Sequence, residues 1–360
     1  MPGPGFGGPL GAAAGPAGAG AGAPGAAAAR GGPPGFGGPG GGRGVQTFYA
    51  LASNGVVHTI GLHEGKEIKK PVPFLPANAN VADLSAIDDV LYATTINGCG
   101  GAPNGVWSVD LTSDDQKVRS WNSGASPIGE PALDSKGNLY VAFGEGAGNH
   151  ADSVVSLDGK TLEVKDWFTF SGASFATGPS IFTHAGRELV AASTKDGRIF
   201  VLDTASLGGA DHKSALAVSP ATNSSKSWSP SALATWEDAD KNRFLLIPAT
   251  HGKGTMDAFK LTGDAAKLSL EQAWTTGDLG APSAPIIVNG VVFALKSGSA
   301  SSPAVLYAFD AKDGKEIWSS GKNITSYVRS SGIWSSNGQV YVATHDGTVY
   351  AFGFAMDRHL

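Results

Sequence analysis

Residues 305–318 read "VLYAFDAKDGKEIW". Val305, Tyr307 and Phe309 recur with a period of two, as in a strand whose two faces meet different surroundings. Asp313-Gly314 supplies a turn, because glycine reaches the positive φ that a tight reversal needs. A second short run then ends on Trp318. The phrase returns along the chain as "VVHTIGLHEGKEI" (56–68), "GVWSVDLTSDDQKVRSW" (105–121), "SVVSLDGKTLEVKDW" (153–167), "RIFVLDTASLGG" (198–209), "TMDAFKLTGD" (255–264) and "TVYAFGF" (348–354). That makes seven copies.

Each copy follows another apolar run, for instance Leu91-Tyr92-Ala93, Leu139-Tyr140-Val141 and Val292-Phe293-Ala294. The links are hairpin signals such as Ser53-Asn54-Gly55, Asp196-Gly197 and Asp346-Gly347. A third segment comes earlier and carries small residues and proline: Gly129-Glu130-Pro131-Ala132, Gly178-Pro179-Ser180, Ser229-Pro230-Ser231, Ala284-Pro285-Ile286 and Ser330-Ser331-Gly332. These segments are expected as innermost strands converging on a crowded axis. A fourth strand after the turn ends on Trp121, Trp167, Trp274 or Trp318 in four units, where an indole would pack between neighbouring sheets. Trp274 and Trp318 are 44 residues apart, a spacing that suits four-stranded blades. The pattern therefore predicts an all-β chain, a seven-bladed β-propeller of four-stranded antiparallel blades, since a lone blade cannot cover its own faces.

The propeller is expected over residues 45–360. Residues 1–44 are almost only Gly, Ala and Pro and cannot build a core that offsets ordering entropy. Within them "PGFGGP" occurs at 4–9 and again at 34–39, setting Phe6 and Phe36 among residues nearly without side chains. Two readings stand: a flexible linker, or an adhesive tail with two aromatic anchors.

Charge narrows the partners. With 16% charged residues and a net charge of −5, there is no basic stripe to neutralise phosphates, so nucleic acid is not expected. No apolar run reaches the length of a membrane span, and Met1 is not followed by a charged segment and an unbroken apolar one, so neither a span nor a signal peptide is expected within this sequence. The single cysteine, Cys99, excludes an internal disulfide and any cysteine-clustered metal site.

"LYAFDAKDGKEIW", with "VYVATHDGTVYAFGF" near the end, resembles the repeat of the pyrroloquinoline quinone (PQQ) type propellers, the group that includes quinoprotein alcohol dehydrogenases and the BamB-like assembly scaffolds. The resemblance covers most of residues 45–354 and implies the fold, while the same repeat serves enzymes and scaffolds alike. It also implies a place outside the cytoplasm, extracellular or periplasmic. Quinoprotein dehydrogenases of the family usually have eight blades, two adjacent cysteines beneath the cofactor and a bound Ca²⁺. This chain offers seven repeats and one cysteine, and lacks the N-terminal lipidated cysteine of BamB-like scaffolds.

Other motifs are weaker. "EDADKNR" (237–243) alternates Asp238, Asp240 and Asn242 as a calcium loop does, but glycine is missing from the sixth position and Ala249 replaces the bidentate Glu, so a polar turn is favoured. Long connections at 97–105 and 144–152 stand where other units need two residues, which marks them for binding or covering.

Counting strands leaves two vacancies: the first blade begins at its second strand, and the last stops after its third. An open sheet edge invites association. The favoured expectation is a non-catalytic secreted or cell-surface scaffold or structural subunit with no cofactor, partnering another protein or itself as a homo-oligomer and assembling, in the extreme as a filament, through its tail. The alternative is a PQQ- and Ca²⁺-dependent dehydrogenase of an alcohol or sugar.

Overall fold

The computed structural model describes residues 47–222, 232–249, 254–264, 267–280, 282–329, 332–336 and 338–353, together with the backbone of 27–28 and 30–31. Phe6 and Phe36 lie outside the described residues. The described residues form two compact units: one runs up to Thr194 and includes Phe200–Leu216, the other comprises Lys195–Ile199 and the described residues from Ala217 onward.

Among the described residues the strands fall into seven consecutive sheets, the blades of a β-propeller, antiparallel except that Arg30–Gly31 runs parallel to its neighbour Val81–Ile87. The first contains Thr47–Leu51, Val56–Gly61 and Val72–Pro73, with Ala27–Ala28 beside its first long strand. The second contains Val81–Ile87, Val90–Thr95, Gly105–Asp110 and Val118–Asn122, with Arg30–Gly31 alongside. The third runs through Ala125–Leu133, Asn138–Gly146, Ser153–Asp158 and Val164–Thr169, and the fourth through Ser180–His184, Arg187–Ser193, Ile199–Asp203 and Ala217–Val218. The fifth is Ala234–Glu237, Arg243–Ala249, Thr255–Asp264 and Lys267–Thr275; the sixth is Ile286–Val288, Val291–Lys296, Val305–Asp310 and Glu316–Ser319. The seventh has three strands, Ile333–Ser336, Gln339–Ala343 and Val349–Gly353.

The proline-bearing segments differ from expectation. Only Gly129–Ala132 lies within a strand, and the ladder slips between Ile128 and Ala132, because Pro131 has no N–H to give it. Pro179 and Pro285 instead stand just ahead of strands that begin at Ser180 and Ile286, while 229–231 and 330–331 fall outside the described residues. Proline thus sets the entry to an inner strand more often than it occupies one.

The apolar clusters lie between blades. One joins Tyr92, Val106 and Trp121 of the second blade to Leu139, Val141 and Phe143 of the third. Another joins Leu246, Ala258 and Trp274 of the fifth to Val292, Phe309 and Ala311 of the sixth. Each strand buries one face against its own blade's neighbour on either side, so alternation need not be strict: Leu139–Phe143 is buried at every position.

The opening phrase explains how one blade locks onto the next. Asp110, Asp158, Asp203 and Asp310 each end a third strand, and each carboxylate accepts the backbone N–H two residues on, at 2.8, 2.9, 3.0 and 2.8 Å. This local bond starts the turn to the outer strand. The carbonyl just after three of these aspartates takes a hydrogen bond from the preceding blade: Tyr92 Oη donates to Gly159 at 2.9 Å, Tyr140 Oη to Thr204 at 3.3 Å, and Trp274 Nε1 to Ala311 at 3.0 Å. Gly314 completes the turn at φ 72°, and a Cβ there would stand 2.6 Å from the Trp274 ring. In the third blade the equivalent position is Leu162 at φ 61°, where burial of the side chain offsets the backbone cost.

Candidate functional site

The suggested calcium loop is the turn between the first two strands of the fifth blade. The Asp238 carboxylate accepts both the backbone N–H and the side-chain N–H of Asn242, each at 2.8 Å. That bond to Asn242 is the main cause holding its pKa below the usual carboxylate range. Asp240 lies on the surface, 3.6 Å from the Lys312 ammonium. The third blade builds the same corner, with Asp134 accepting from the Asn138 backbone and side chain, both at 2.7 Å. Two spaced Asp-Asn pairs serving one corner twice identify a hairpin device, and neither asparagine is presented to a common centre. Among the described residues no three His, Cys, Asp or Glu side chains group as ligands.

The four tryptophans occupy outer strands but meet different surroundings. Trp121 packs edge-on against Phe143, with ring centroids 5.5 Å apart. His150, from the loop at 144–152, lies 5.7 Å from Trp121 and 5.2 Å from Trp167. Trp167 stacks on His212 at 3.7 Å, and Asp166 stands 3.1 Å from the Nδ1 of that histidine. This ladder ties the long loop to two blades. His150 Nδ1 is buried without a hydrogen-bond partner, and burial pushes the pKa of the ring down. The other long loop carries the exposed Cys99 and is closed by Thr95 Oγ1, which donates to the Pro103 carbonyl at 2.6 Å and accepts from Trp107 Nε1 at 2.9 Å. Both loops are thus held by specific contacts rather than left loose.

Sequence reasoning missed the seam tyrosines and the histidine ladder. The recurring Leu-Tyr-Ala and Leu-Tyr-Val triplets were the available signal for Tyr92 and Tyr140, since a tyrosine in an otherwise aliphatic buried run needs a partner for its hydroxyl. The ladder left no such trace, because its members are 29, 17 and 45 residues from one another along the chain (150 − 121, 167 − 150 and 212 − 167).

The last two blades present the apolar counterpart. Trp318, on the outer strand of the sixth blade, lies 5.3 Å from Phe352 of the seventh. Beside them opens a cavity of about 280 Å³ lined chiefly by Val288, Val291, Phe293, Trp318, Val340 and Phe352. The strand Val349–Gly353 pairs with Gln339–Ala343, and among the described residues no strand pairs with its other edge. Gly353 occupies the register position of Asp310 in the sixth blade, each opposite the first residue of its middle strand. The seventh blade therefore lacks the carboxylate that starts the outer turn in the second, third, fourth and sixth blades. Val349 is 57% exposed on this edge. Such an edge, unpaired among the described residues and adjoining an apolar pocket, has the chemistry to take an extended segment.

No protein-family model matches the sequence, and no curated protein matches it. Among solved structures, the chain is similar to the β-propeller domain of Myceliophteria thermophila Cps50 (Swd1), at 13% identity and a TM-score of 0.54, over 86% of this chain and 93% of that one. It is also similar to Saccharomyces cerevisiae Sqt1, at 12% identity and a TM-score of 0.56, over 86% of this chain and 81% of that one. No helix among the described residues is long and apolar enough to cross a membrane. At these identities, what the chain has in common with both solved proteins is the β-propeller fold.

Proposed function

We propose that the chain is a non-catalytic propeller of the PQQ-type repeat group, acting outside the cytoplasm as a protein-binding scaffold or structural subunit. One contrast carries the reading. The carboxylates and amides that the sequence offers for chemistry are engaged in their own turns, as at Asp238 and Asn242. Among the described residues no strand pairs with the last blade's outer edge, and the apolar cavity lies beside it. Binding of a protein segment uses what is open there, whereas catalysis would need polar groups directed at a common point. The two solved propellers fit a scaffold role in fold.

The test is reconstitution with PQQ and Ca²⁺ followed by a dye-coupled assay over a panel of alcohols and sugars. No turnover above the protein-free control is expected. Turnover that depends on both additives overturns the scaffold reading in favour of the dehydrogenase. The compartment is tested by fractionating the native host.

A further inference from the structure

We infer that the cavity between the last two blades accepts a Pro-Gly-Phe-Gly-Gly-Pro segment, residues 4–9, from a second copy of this chain. The inference rests on the scaffold reading and names its partner.

Three observations converge. At about 280 Å³ the cavity lies just below the range of drug-sized ligand pockets, a size for one large side chain rather than a helix or a flat protein surface. Its walls are Val291, Phe293 and Trp318 on one side and Val340 and Phe352 on the other, an environment for an aromatic ring. The edge at Val349–Gly353, with which no described strand pairs on its outer side, carries backbone donors and acceptors beside it, so an incoming chain can pair as a strand while one side chain enters the pocket. The tail segment has the matching form: a single phenylalanine flanked by glycines that let the backbone approach closely. Its terminal prolines lack N–H groups and limit the pairing to the few residues between them.

Length and number favour a second copy. Phe6 stands 21 residues before Ala27, which pairs with the first blade (27 − 6 = 21), a span of roughly 25 Å as a coil and roughly 70 Å when stretched, so the anchor can reach beyond its own blades. The chain carries the segment twice, at 4–9 and 34–39, against one last-blade edge. Donors then outnumber acceptors, and a chain whose own edge is filled still offers a segment to a neighbour. Such a contact is head-to-tail and can continue from copy to copy.

The decisive measurement is light scattering of the full chain across a concentration series. The mass of the natural sequence is expected to rise with concentration, and an excess of a synthetic peptide of residues 2–10 to lower it. The full-length double variant Phe6→Ser, Phe36→Ser is expected to self-associate at least about tenfold more weakly. Val291→Glu, placing a charge in the cavity wall, is expected to abolish peptide binding by titration calorimetry while the far-ultraviolet circular dichroism stays that of the parent. Equal assembly of the double variant and the parent, or a single-copy mass for the parent at every concentration, overturns the inference. Neither result bears on the scaffold reading, which the cofactor assay decides separately.

Discussion

The seam between the fifth and sixth blades and the seam between the sixth and seventh start from the same part, a tryptophan near the end of an outer strand. Trp274 is 7% exposed; the next blade's turn lies over it, with Ala311 accepting its indole N–H and Gly314 against the ring. Trp318 has Phe352 on one side and borders the cavity. The difference lies in what the following blade brings. The sixth supplies an aspartate-started turn and a fourth strand, whereas the seventh, among the described residues, ends its third strand on Gly353. An identical aromatic can thus seal one seam and leave a pocket at the other.

The largest effect should come from removing the indoles. Trp274→Ala is expected to lower stability by about 3–5 kcal/mol and Trp318→Ala by at least about 1 kcal/mol less, because the latter site already adjoins empty space. Urea denaturation measures both, and equal losses would break the comparison. Gly314→Ala should cost about 2–4 kcal/mol, combining a strained positive φ with a clash on the Trp274 ring.

A third prediction moves the comparison to the tyrosine seams. Tyr92→Phe and Tyr140→Phe should each cost about 1 kcal/mol at neutral pH. Burial pushes the Tyr92 hydroxyl up to about 12 and raises that of Tyr140 further. A tyrosine raised in the folded state stabilises it fully below its ordinary value near 10, and that contribution is lost as pH climbs from about 10 to about 12. The natural chain should therefore lose stability over this window, and the double phenylalanine variant should lose less of it. Denaturation midpoints at stepped alkaline pH check this.

The smallest effect sharpens the contrast by adding atoms. Val291→Ile extends into the cavity and should raise stability by up to about 1 kcal/mol. Ala311→Val, at a fully buried position in the sealed seam, should lower it by about 1–3 kcal/mol. Opposite signs for two similar enlargements are the outcome to look for, and like signs would mean the two seams are packed alike.

Much of this was legible beforehand. Seven copies of a period-two run, most followed by a turn, marked the repeating unit, because strand pairing and turn chemistry are local and leave their mark within a dozen residues. Trp121, Trp167, Trp274 and Trp318 all stand on outer strands for the same reason. The proline segments were misplaced by a few residues, since Pro179 and Pro285 punctuate strand entries that only the sheet register reveals. Asp238 and Asn242 showed the right spacing for two different devices, and the choice between them depended on where the asparagine amide points.

The sequence by itself determined the repeating unit, its turns and the count of blades, because each unit writes its own alternation and its own reversal. Only the tertiary structure decided which seam is filled, which tyrosine finds a carbonyl in the next blade and where a cavity remains. Those outcomes depend on pairs of residues dozens of positions apart, such as Trp274 with Gly314 and Trp318 with Phe352. Their fit is a matter of volume and direction between two sheets, and no single stretch of sequence encodes that.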